Sequence, residues 1–202
     1  MSPDGLDGLV DRVERAIARR FGTHPDAVTG RATERRCILA SAVIAARLKA
    51  DGWPARLVAG TLSVYRPGVS PLDIQLHALV SIGDRLLLDA SISQAHRARF
   101  GRVFDVSHAL LPVPSGIRDG RMVWLQCGDV RISFTPSHAL TAQALATPDA
   151  DPARVSALLD DLGGGSTGLR YPLNHGAARA ATALRPSESG SCAFPSNPSA
   201  SA

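Results

Sequence analysis

Apolar residues recur every three or four positions in three segments of the chain, a spacing typical of amphipathic helices. The first segment covers residues 6–20 and is followed by Gly22. The second covers residues 33–50, which contain neither glycine nor proline, and includes Cys37 near its start. The third covers residues 153–162 and precedes three consecutive glycines. The pattern therefore predicts three helices, each with an apolar face in the core.

Other segments are rich in Val, Ile, Leu, Thr and Tyr and indicate strands. Residues 55–65 predict one strand, and residues 66–71, with two prolines and a glycine, predict a loop that forms one wall of a cleft. Residues 74–82 and 85–91 predict a hairpin, and residues 120–134 predict a second one, each around a Gly-Asp turn. Helices and hairpins together favour an α+β fold with an antiparallel sheet.

The register of the first hairpin can be argued from its apolar rows. Side chains alternate between the two faces of a sheet, so a one-residue slip would expose every buried residue. A pairing such as Val80 opposite Leu86 puts both rows on one face, and it then places His77 and Asp89 together on the other face, opposite or diagonally adjacent. Such a carboxylate can accept from one imidazole nitrogen and fix the tautomer of the ring. A solvated surface pair is the alternative interpretation. The apolar rows are Ile74, Leu76, Ala78, Val80 and Ile82 on one strand, and Leu86, Leu88 and Ala90 on the other.

Cys37 falls in the opening turn of the second predicted helix. Thr33 can cap that helix, Glu34 suits its first turn, and Arg35 and Arg36 add positive charge nearby. The free N–H groups and the positive end of the helix dipole favour a thiolate there, which is the reactive form of cysteine. Cys37 is therefore a candidate nucleophile, and the alternative is a small hydrophobic residue of the core.

Composition bounds the organisation of the chain. A length of 202 residues and 45% hydrophobic content are sufficient for one domain with a sizeable core. We predict this domain over residues 1–165 and a disordered tail, rich in Ala, Ser, Pro and Gly, over residues 166–202. No apolar run approaches the ~20 residues of a membrane span. The first residues do not read as a signal peptide, so we expect a bacterial-type cytoplasmic protein without membrane association.

Charge and cysteine content argue against several classes of partner. The net charge is +4, and arginines cluster at residues 96–102, but aromatic residues make up only 4% of the chain. Stacking platforms for nucleic acid are thus poorly supported, and we expect no nucleic-acid partner. Cys37, Cys127 and Cys192 are widely spaced, which argues against a disulfide framework and against a zinc module. We expect no metal and no cofactor, and the oligomeric state stays open.

Three short motifs stand in a familiar order along the chain. They are Cys37 with its helix and the following residues 52–60 (Gly-Trp-Pro-Ala-Arg-Leu-Val-Ala-Gly), then residues 77–80 (His-Ala-Leu-Val), then residues 88–91 (Leu-Asp-Ala-Ser). This order resembles the transglutaminase-like branch of the papain-like cysteine enzymes. The resemblance covers residues 33–91, under a third of the chain.

The resemblance implies a fold, in which a helix that begins at the cysteine packs on an antiparallel sheet. It also implies roles for three residues, with Cys37 as nucleophile, His77 as general base and Asp89 as the acid that orients the base. Two positions depart from the family pattern. Leu79 stands where an aromatic residue is common, and Ala90 with Ser91 stands where a Pro-Thr-like pair is common.

The chemistry implied is acyl transfer through a thioester, by hydrolysis, deamidation or transamidation of a peptide or protein substrate. The backbone N–H of Cys37 is the expected oxyanion donor, with Gln75 or Trp53 as a second one. An arylamine-acetyltransferase-like enzyme, a leader-peptide protease of a peptide-maturation system and a non-catalytic binding module of the same fold are alternatives. The glycine pair that usually precedes the acetyltransferase cysteine is replaced here by Arg35 and Arg36.

Overall fold

A computed structural model describes residues 3–27, 30–95, 108–113 and 115–163, and the backbone of Cys192 and Ala193. Within this part of the chain the fold is α+β, with four α-helices and a seven-stranded antiparallel sheet. The helices are α1 (Pro3–Phe21), α2 (Cys37–Ala50), α3 (His138–Leu145) and α4 (Pro152–Asp161). The strands are β1 (Ala55–Arg66), β2 (Val69–Ile82), β3 (Leu86–Asp89), β4 (Ala109–Pro112), β5 (Val123–Cys127), β6 (Val130–Pro136) and β7 (Cys192–Ala193).

The sheet has the strand order β4-β3-β2-β1-β6-β5-β7. Strands β4 and β5 contact each other although four strands separate them in this order, so the sheet curls. The helices pack on the outer face of the sheet. Val80, Ile82 and Leu88 on that face form one apolar cluster with side chains of the helices. The inner face encloses a second cluster formed largely by strand residues, including Leu62, Leu87 and Phe134. The sheet is thus buried on both faces around β1, β2 and β3.

Helix α2 is the central element of the outer core. It packs on β1 and β2 on one side and on α1 and α4 on the other. Most of its side chains are buried, which suits a helix that is apolar all round rather than along one stripe. The buried Ser41 hydroxyl donates a hydrogen bond to the carbonyl oxygen of Ala78 on β2 at 3.0 Å. The helix is therefore held against the strand that carries His77.

Two charged side chains hold the segment between α1 and α2 in place by hydrogen bonds. The Glu14 carboxylate accepts from the backbone N–H groups of Ala32 and Thr33. The Arg36 guanidinium donates to the carbonyl oxygens of Gly22 at 2.7 Å and Ala32 at 3.0 Å. Arg36 is also the N-cap residue of α2, without a side-chain cap, and the Thr33 hydroxyl is buried without a hydrogen-bond partner. The predicted capping role of Thr33 is therefore wrong, because the helix begins later than its apolar pattern does.

Most of the predicted strands are confirmed, but their lengths differ. The predicted loop at residues 66–71 is wrong, because β1 and β2 form one long hairpin that turns at Pro67 and Gly68. Gly68 has a φ of 75°, which a glycine adopts without strain. The hairpin of β5 and β6 pairs Cys127 with Val130, as its Gly-Asp turn predicts.

Two elements have no counterpart in the sequence pattern. Strand β4 falls within residues 104–114, where the pattern favours neither helix nor strand, and it pairs with β3. Helix α3 begins after Ser137, whose side chain accepts from the N–H of Leu140. The predicted tail at residues 166–202 lies outside the described residues, apart from β7, which pairs with β5. No helix in the described ranges is long and apolar enough to cross a bilayer.

Gly60 marks a close approach within the sheet. It pairs with His77 on β2 and with Pro136 on β6. A Cβ atom at this position would overlap the carbonyl oxygen of Thr135 and lie 2.8 Å from its carbonyl carbon. These are backbone atoms, so the overlap is relieved only by moving the strand.

We expect Gly60→Ala to lower the free energy of unfolding by at least about 2 kcal/mol, because the added methyl group forces β1 and β6 apart. Urea denaturation followed by circular dichroism measures this loss. Gly8→Ala on α1 is the matched control, since a Cβ there meets only Arg12 Nη1 at 3.5 Å. That substitution should raise stability by about 0.5–1 kcal/mol. An unchanged stability of Gly60→Ala would contradict the close approach.

Candidate active site

The three candidate residues come from three neighbouring elements. Cys37 is the first residue of α2 and is half-buried. His77 lies on β2, and Asp89 is the last residue of β3. The His77 and Asp89 side chains are fully buried, and His77 Nε2 lies 2.7 Å from Asp89 Oδ2. The Cys37 thiol also interacts with the His77 ring, by hydrogen bonding and by charge. Cys37, His77 and Asp89 are far apart in the sequence but adjacent in the fold.

The pairing of His77 with Asp89 follows from the observed register of β2 and β3. Val80 pairs with Leu88, which differs by two residues from the example register and keeps both apolar rows on one face. His77 and Asp89 are consequently diagonal neighbours. The interpretation as a solvated surface pair is wrong, because the second face of the sheet is buried as well.

Ser91 fixes the other oxygen of the Asp89 carboxylate. The Ser91 backbone N–H donates to Asp89 Oδ1 at 2.9 Å, and its hydroxyl donates to the same atom at 3.2 Å. One carboxylate oxygen therefore faces His77, while the other is held by Ser91. The sequence analysis noted Ser91 only as a departure from a family pattern. Its position two residues after a candidate acid was the signal for this role, because such a side chain and N–H form a local turn.

A bulge in β2 brings the backbone toward the thiol. Gly60 pairs with His77 and Leu62 pairs with Ile74, so two residues of β2 stand opposite one residue of β1. One of the two is Leu76, with a φ of 56°, which is rare for a residue with a branched side chain. The Leu76 carbonyl oxygen lies 3.8 Å from Cys37 Sγ and accepts a weak hydrogen bond from it. Strain of this kind persists only where surrounding structure enforces it, and it clusters at functional sites.

The protonation of His77 is set by its buried surroundings. Burial by itself lowers the pKa of His77, but the negative charge of Asp89 and the hydrogen bond to it act in the opposite direction, and Cys37 adds to them. The net effect raises the pKa of His77 well above its ordinary value, to about 10. His77 is therefore an imidazolium at neutral pH, paired with one carboxylate and placed beside a thiol.

Cys37 lies in the first turn of α2, whose N-cap residue is Arg36. The first N–H groups of a helix lack partners within the helix, and in the described part of the chain Arg36 gives α2 no side-chain cap. The Arg36 guanidinium is directed back to the α1–α2 segment, so the expectation that it adds charge at Cys37 is wrong. Arg35 is exposed and has a φ of 65°. Glu34 is buried before the helix rather than in its first turn.

The two guesses for a second oxyanion donor have different outcomes. Trp53 follows the C-terminus of α2 and packs in the core, about 20 Å from the helix start, so that guess is wrong. Gln75 is exposed on the bulge, one residue before Leu76, and stays a prediction. The side chains of Gln94, His96, Cys127 and Cys192 lie outside the described residues.

A second buried histidine lies behind the site. His108 directly precedes β4, is 7% exposed, and its Nε2 lies 3.2 Å from Asp7 Oδ1 on α1. Burial lowers the pKa of His108, and the charges of Asp7 and Asp11 oppose this effect. Asp7 is distant from His108 along the chain, so only the tertiary structure brings the two residues together. Among the described residues, no group of three or more His, Cys, Asp or Glu side chains is arranged to hold a metal ion.

Comparisons with known proteins identify no relative of this chain. No family model, no curated protein and no solved structure matches the chain. The site must therefore be interpreted from its own residues.

The raised pKa of His77 predicts a pH-dependent stability. The native state holds this proton more tightly than the unfolded chain, so the stabilisation is complete below the ordinary pKa of about 6.5 and is lost as pH rises toward about 10. We expect the free energy of unfolding to fall between pH 7 and 10, as measured by urea denaturation.

Asp89→Asn should remove this alkaline dependence, because it removes the carboxylate that holds the proton on His77. It should also cost on the order of 3 kcal/mol at neutral pH, since it breaks a buried ion pair. His24→Gln is the control, because His24 pairs only with exposed Asp26. An Asp89→Asn protein with the wild-type pH profile would contradict the assignment.

Proposed function

We propose that this protein is a cysteine-dependent acyl-transfer enzyme that acts on an amide bond of a peptide or protein through a thioester intermediate. One observation carries the proposal. A half-buried cysteine at the uncapped start of a buried helix adjoins an imidazole whose other partner is a fully buried carboxylate. These are the components that thiol catalysis requires, namely a nucleophile, a base beside it and a group that orients the base.

The reacting form of the site has the His77 imidazolium beside the Cys37 sulfur after the thiol has lost its proton. The thiolate, not the thiol, is the nucleophile. The sulfur attacks the carbonyl carbon of the amide, a C–S bond forms, and the carbonyl π electrons move onto the oxygen. When the tetrahedral intermediate collapses, the C–N bond breaks and His77 gives its proton to the leaving amine.

The second half of the reaction regenerates the enzyme. Neutral His77 takes a proton from water, or from an acceptor amine, as that molecule attacks the thioester carbon. The C–S bond then breaks, and the sulfur leaves as the thiolate of Cys37. Asp89 stabilises the imidazolium throughout, and Ser91 keeps the carboxylate oriented. Hydrolysis and transamidation differ only in which molecule attacks the thioester.

The start of α2 supplies stabilisation for the oxyanion. The N–H of Cys37 and its neighbours in the first turn point out of the helix end toward the reacting carbonyl. Donors of this type are worth roughly 3–4 kcal/mol to the transition state. The absence of a capping side chain on α2 supports this assignment, because a cap would occupy these donors.

A papain-like or transglutaminase-like core is part of the proposal. The helix that begins at the cysteine and packs on β1 and β2 supports it, as does the order of Cys37, His77 and Asp89 on α2, β2 and β3. The long β1–β2 hairpin, the bulge at Leu76 and the departures at Leu79 and Ala90 are features of this chain that any such core must accommodate.

We expect iodoacetamide at pH 7 to alkylate Cys37 well before Cys127 in the native protein, as measured by peptide mass spectrometry over time. His77→Gln should slow the alkylation of Cys37 at least about tenfold, because a neutral amide does not stabilise the thiolate. Gln is preferred to Ala here, since its amide can donate to Asp89 and leaves no buried carboxylate alone. p-Nitrophenyl acetate should acetylate Cys37 and be turned over, and Cys37→Ala should abolish both.

Circular dichroism of each variant is the control for folding. Asp89→Asn should impair acetylation less completely than Cys37→Ala, because it disturbs the base without removing the nucleophile. Equal and slow alkylation of Cys37 and Cys127 would contradict an activated thiol and would favour a non-catalytic binding module of this fold.

A further inference from the structure

The outer face of the sheet continues beyond the start of α2. Ala59 on β1 and Ala78 on β2 pack against Ile38 in the first turn of α2. Strand β1 runs on to Arg66, and alternate residues after Ala59 lie on the same face. We call this part of the face the platform. It consists of Asp73 on β2, Ser63 and Tyr65 on β1, Arg131 and the buried Ser133 on β6, and Trp124 and Gln126 on β5.

Cross-strand pairs define the surface of the platform. Ser63 pairs with Ser133, which in turn pairs with Trp124. Tyr65 pairs with Arg131 in the next row. The serines are small, and the side chains of Tyr65, Arg131 and Trp124 beside them are large and exposed.

Exposed aromatic side chains are concentrated at this place. Tyr65 is 47% exposed and Trp124 is 42% exposed. Met122, which directly precedes β5, is 57% exposed. Within the described ranges, the other large apolar side chain with comparable exposure is Leu145 on α3. An apolar patch of this kind on a sheet surface is typical of an interaction site.

Arg131 lies between the two aromatic rings. It is the cross-strand partner of Tyr65, and its guanidinium carbon is 5.5 Å from the centre of the Trp124 ring. A guanidinium that stacks on an aromatic ring is held in one orientation, and its N–H groups stay available at the edge. Those N–H groups can bind a carboxylate with two hydrogen bonds. In the described part of the chain, Arg131 forms no ion pair. Its neighbour Arg66, by contrast, pairs with Asp129 at 2.6 Å.

We propose that the platform docks an extended, acidic segment of the protein substrate, with a carboxylate on Arg131 and apolar side chains on Tyr65 and Trp124. The inference rests on the proposed function, because it names the substrate class of that site. Arg131, which forms no ion pair in the described residues, favours an occupant with a carboxylate at that position. Extended polypeptide suits the surface of a sheet, since alternate side chains would face the aromatic rings.

The distance to the thiol specifies where the acidic residue lies in the substrate. Thr61 stands opposite the bulge of Leu76, whose carbonyl oxygen contacts Cys37 Sγ. Tyr65 is four residues further along β1, which is roughly 13 Å in a strand. Arg131 is its partner on β6, which lies two strands from β2 and adds about 10 Å across the sheet. An extended substrate that reacts at Cys37 therefore presents a residue about four or five positions from the reacting amide to Arg131.

Two other occupants are less well supported. Single-stranded nucleic acid also stacks on aromatic rings beside arginines, but the platform face carries the carboxylate of Asp73, which pairs with Ser63, and one arginine without an ion pair in the described residues. This charge is sufficient to bind one carboxylate but not a run of phosphates. A second copy of the chain would have to present an acidic segment to Arg131. Both are outcomes of the experiment below.

The test uses peptides that carry an electrophile for Cys37. One series has a C-terminal vinyl sulfone and the other an N-terminal chloroacetyl group, so that both chain directions are sampled. Each series has an aspartate either four residues or one residue from the electrophile, and a lysine version of each peptide. We expect one series to alkylate Cys37 faster with the distant aspartate than with the near one or with lysine.

Variants of the platform separate docking from thiol chemistry. Arg131→Glu should slow the preferred probe about fivefold to tenfold, and Trp124→Ala should slow it about threefold or more. Arg85→Glu is the matched control, because Arg85 is exposed at the β2–β3 turn, away from the platform. Iodoacetamide should alkylate Cys37 equally fast in all three proteins. Anisotropy of the same peptide, fluorescein-labelled and lacking the electrophile, measures docking to Cys37→Ala without any reaction.

Each outcome decides one question. Slow iodoacetamide alkylation in the wild type would overturn the proposed function. Fast alkylation with no preference for the distant aspartate, or with no effect of Arg131→Glu, would overturn the platform alone. Tighter binding of an oligothymidine than of the acidic peptide would overturn it as well. So would a dimer in light scattering that Arg131→Glu dissociates.

Discussion

The buried ion pair of His77 and Asp89 is the interaction on which the rest of the site depends. Removing two charges from water costs several kcal/mol for each of them, and only a close, fully hydrogen-bonded geometry compensates this cost. The geometry here is close to that requirement, with 2.7 Å between His77 Nε2 and Asp89 Oδ2, while Asp89 Oδ1 accepts two hydrogen bonds from Ser91. A buried pair of this kind is weak evidence for stability alone, and its position beside Cys37 supports the proposed role in catalysis.

The sheet must be distorted locally to bring this pair to the start of α2. A regular strand would continue the pairing of β1 and β2 without interruption, whereas the bulge at Leu76 turns the backbone toward Cys37 Sγ. The neighbouring Gly60 lets β6 approach at the same level. The strained φ of Leu76 and the missing side chain of Gly60 are thus two parts of one arrangement, in which close backbone packing positions the thiol and the ring.

The long β1–β2 hairpin connects the site with the surface beyond it. Its first half is covered by α2 and carries His77, and its second half projects past the helix start. The hairpin that carries His77 therefore extends into the platform, where Arg131 stacks on Trp124. This continuity supports the proposed recognition of a substrate at some distance from the reacting bond, since the hydrogen-bonded sheet fixes the distance between the two places.

Local patterns in the sequence determined the α+β class, helices α1, α2 and α4, both predicted hairpins and the meeting of His77 with Asp89. These follow from helical and strand periodicity, which depend on residues close together in the chain. Only the tertiary structure decided where α2 begins, because Glu14 and Arg36 hold the preceding segment from a distance. It also decided the bulge, strand β4, helix α3 and the stacking of Arg131 on Trp124. Each of these arises from contacts between separate elements, where packing and hydrogen bonding across the fold outweigh the preferences of a short segment.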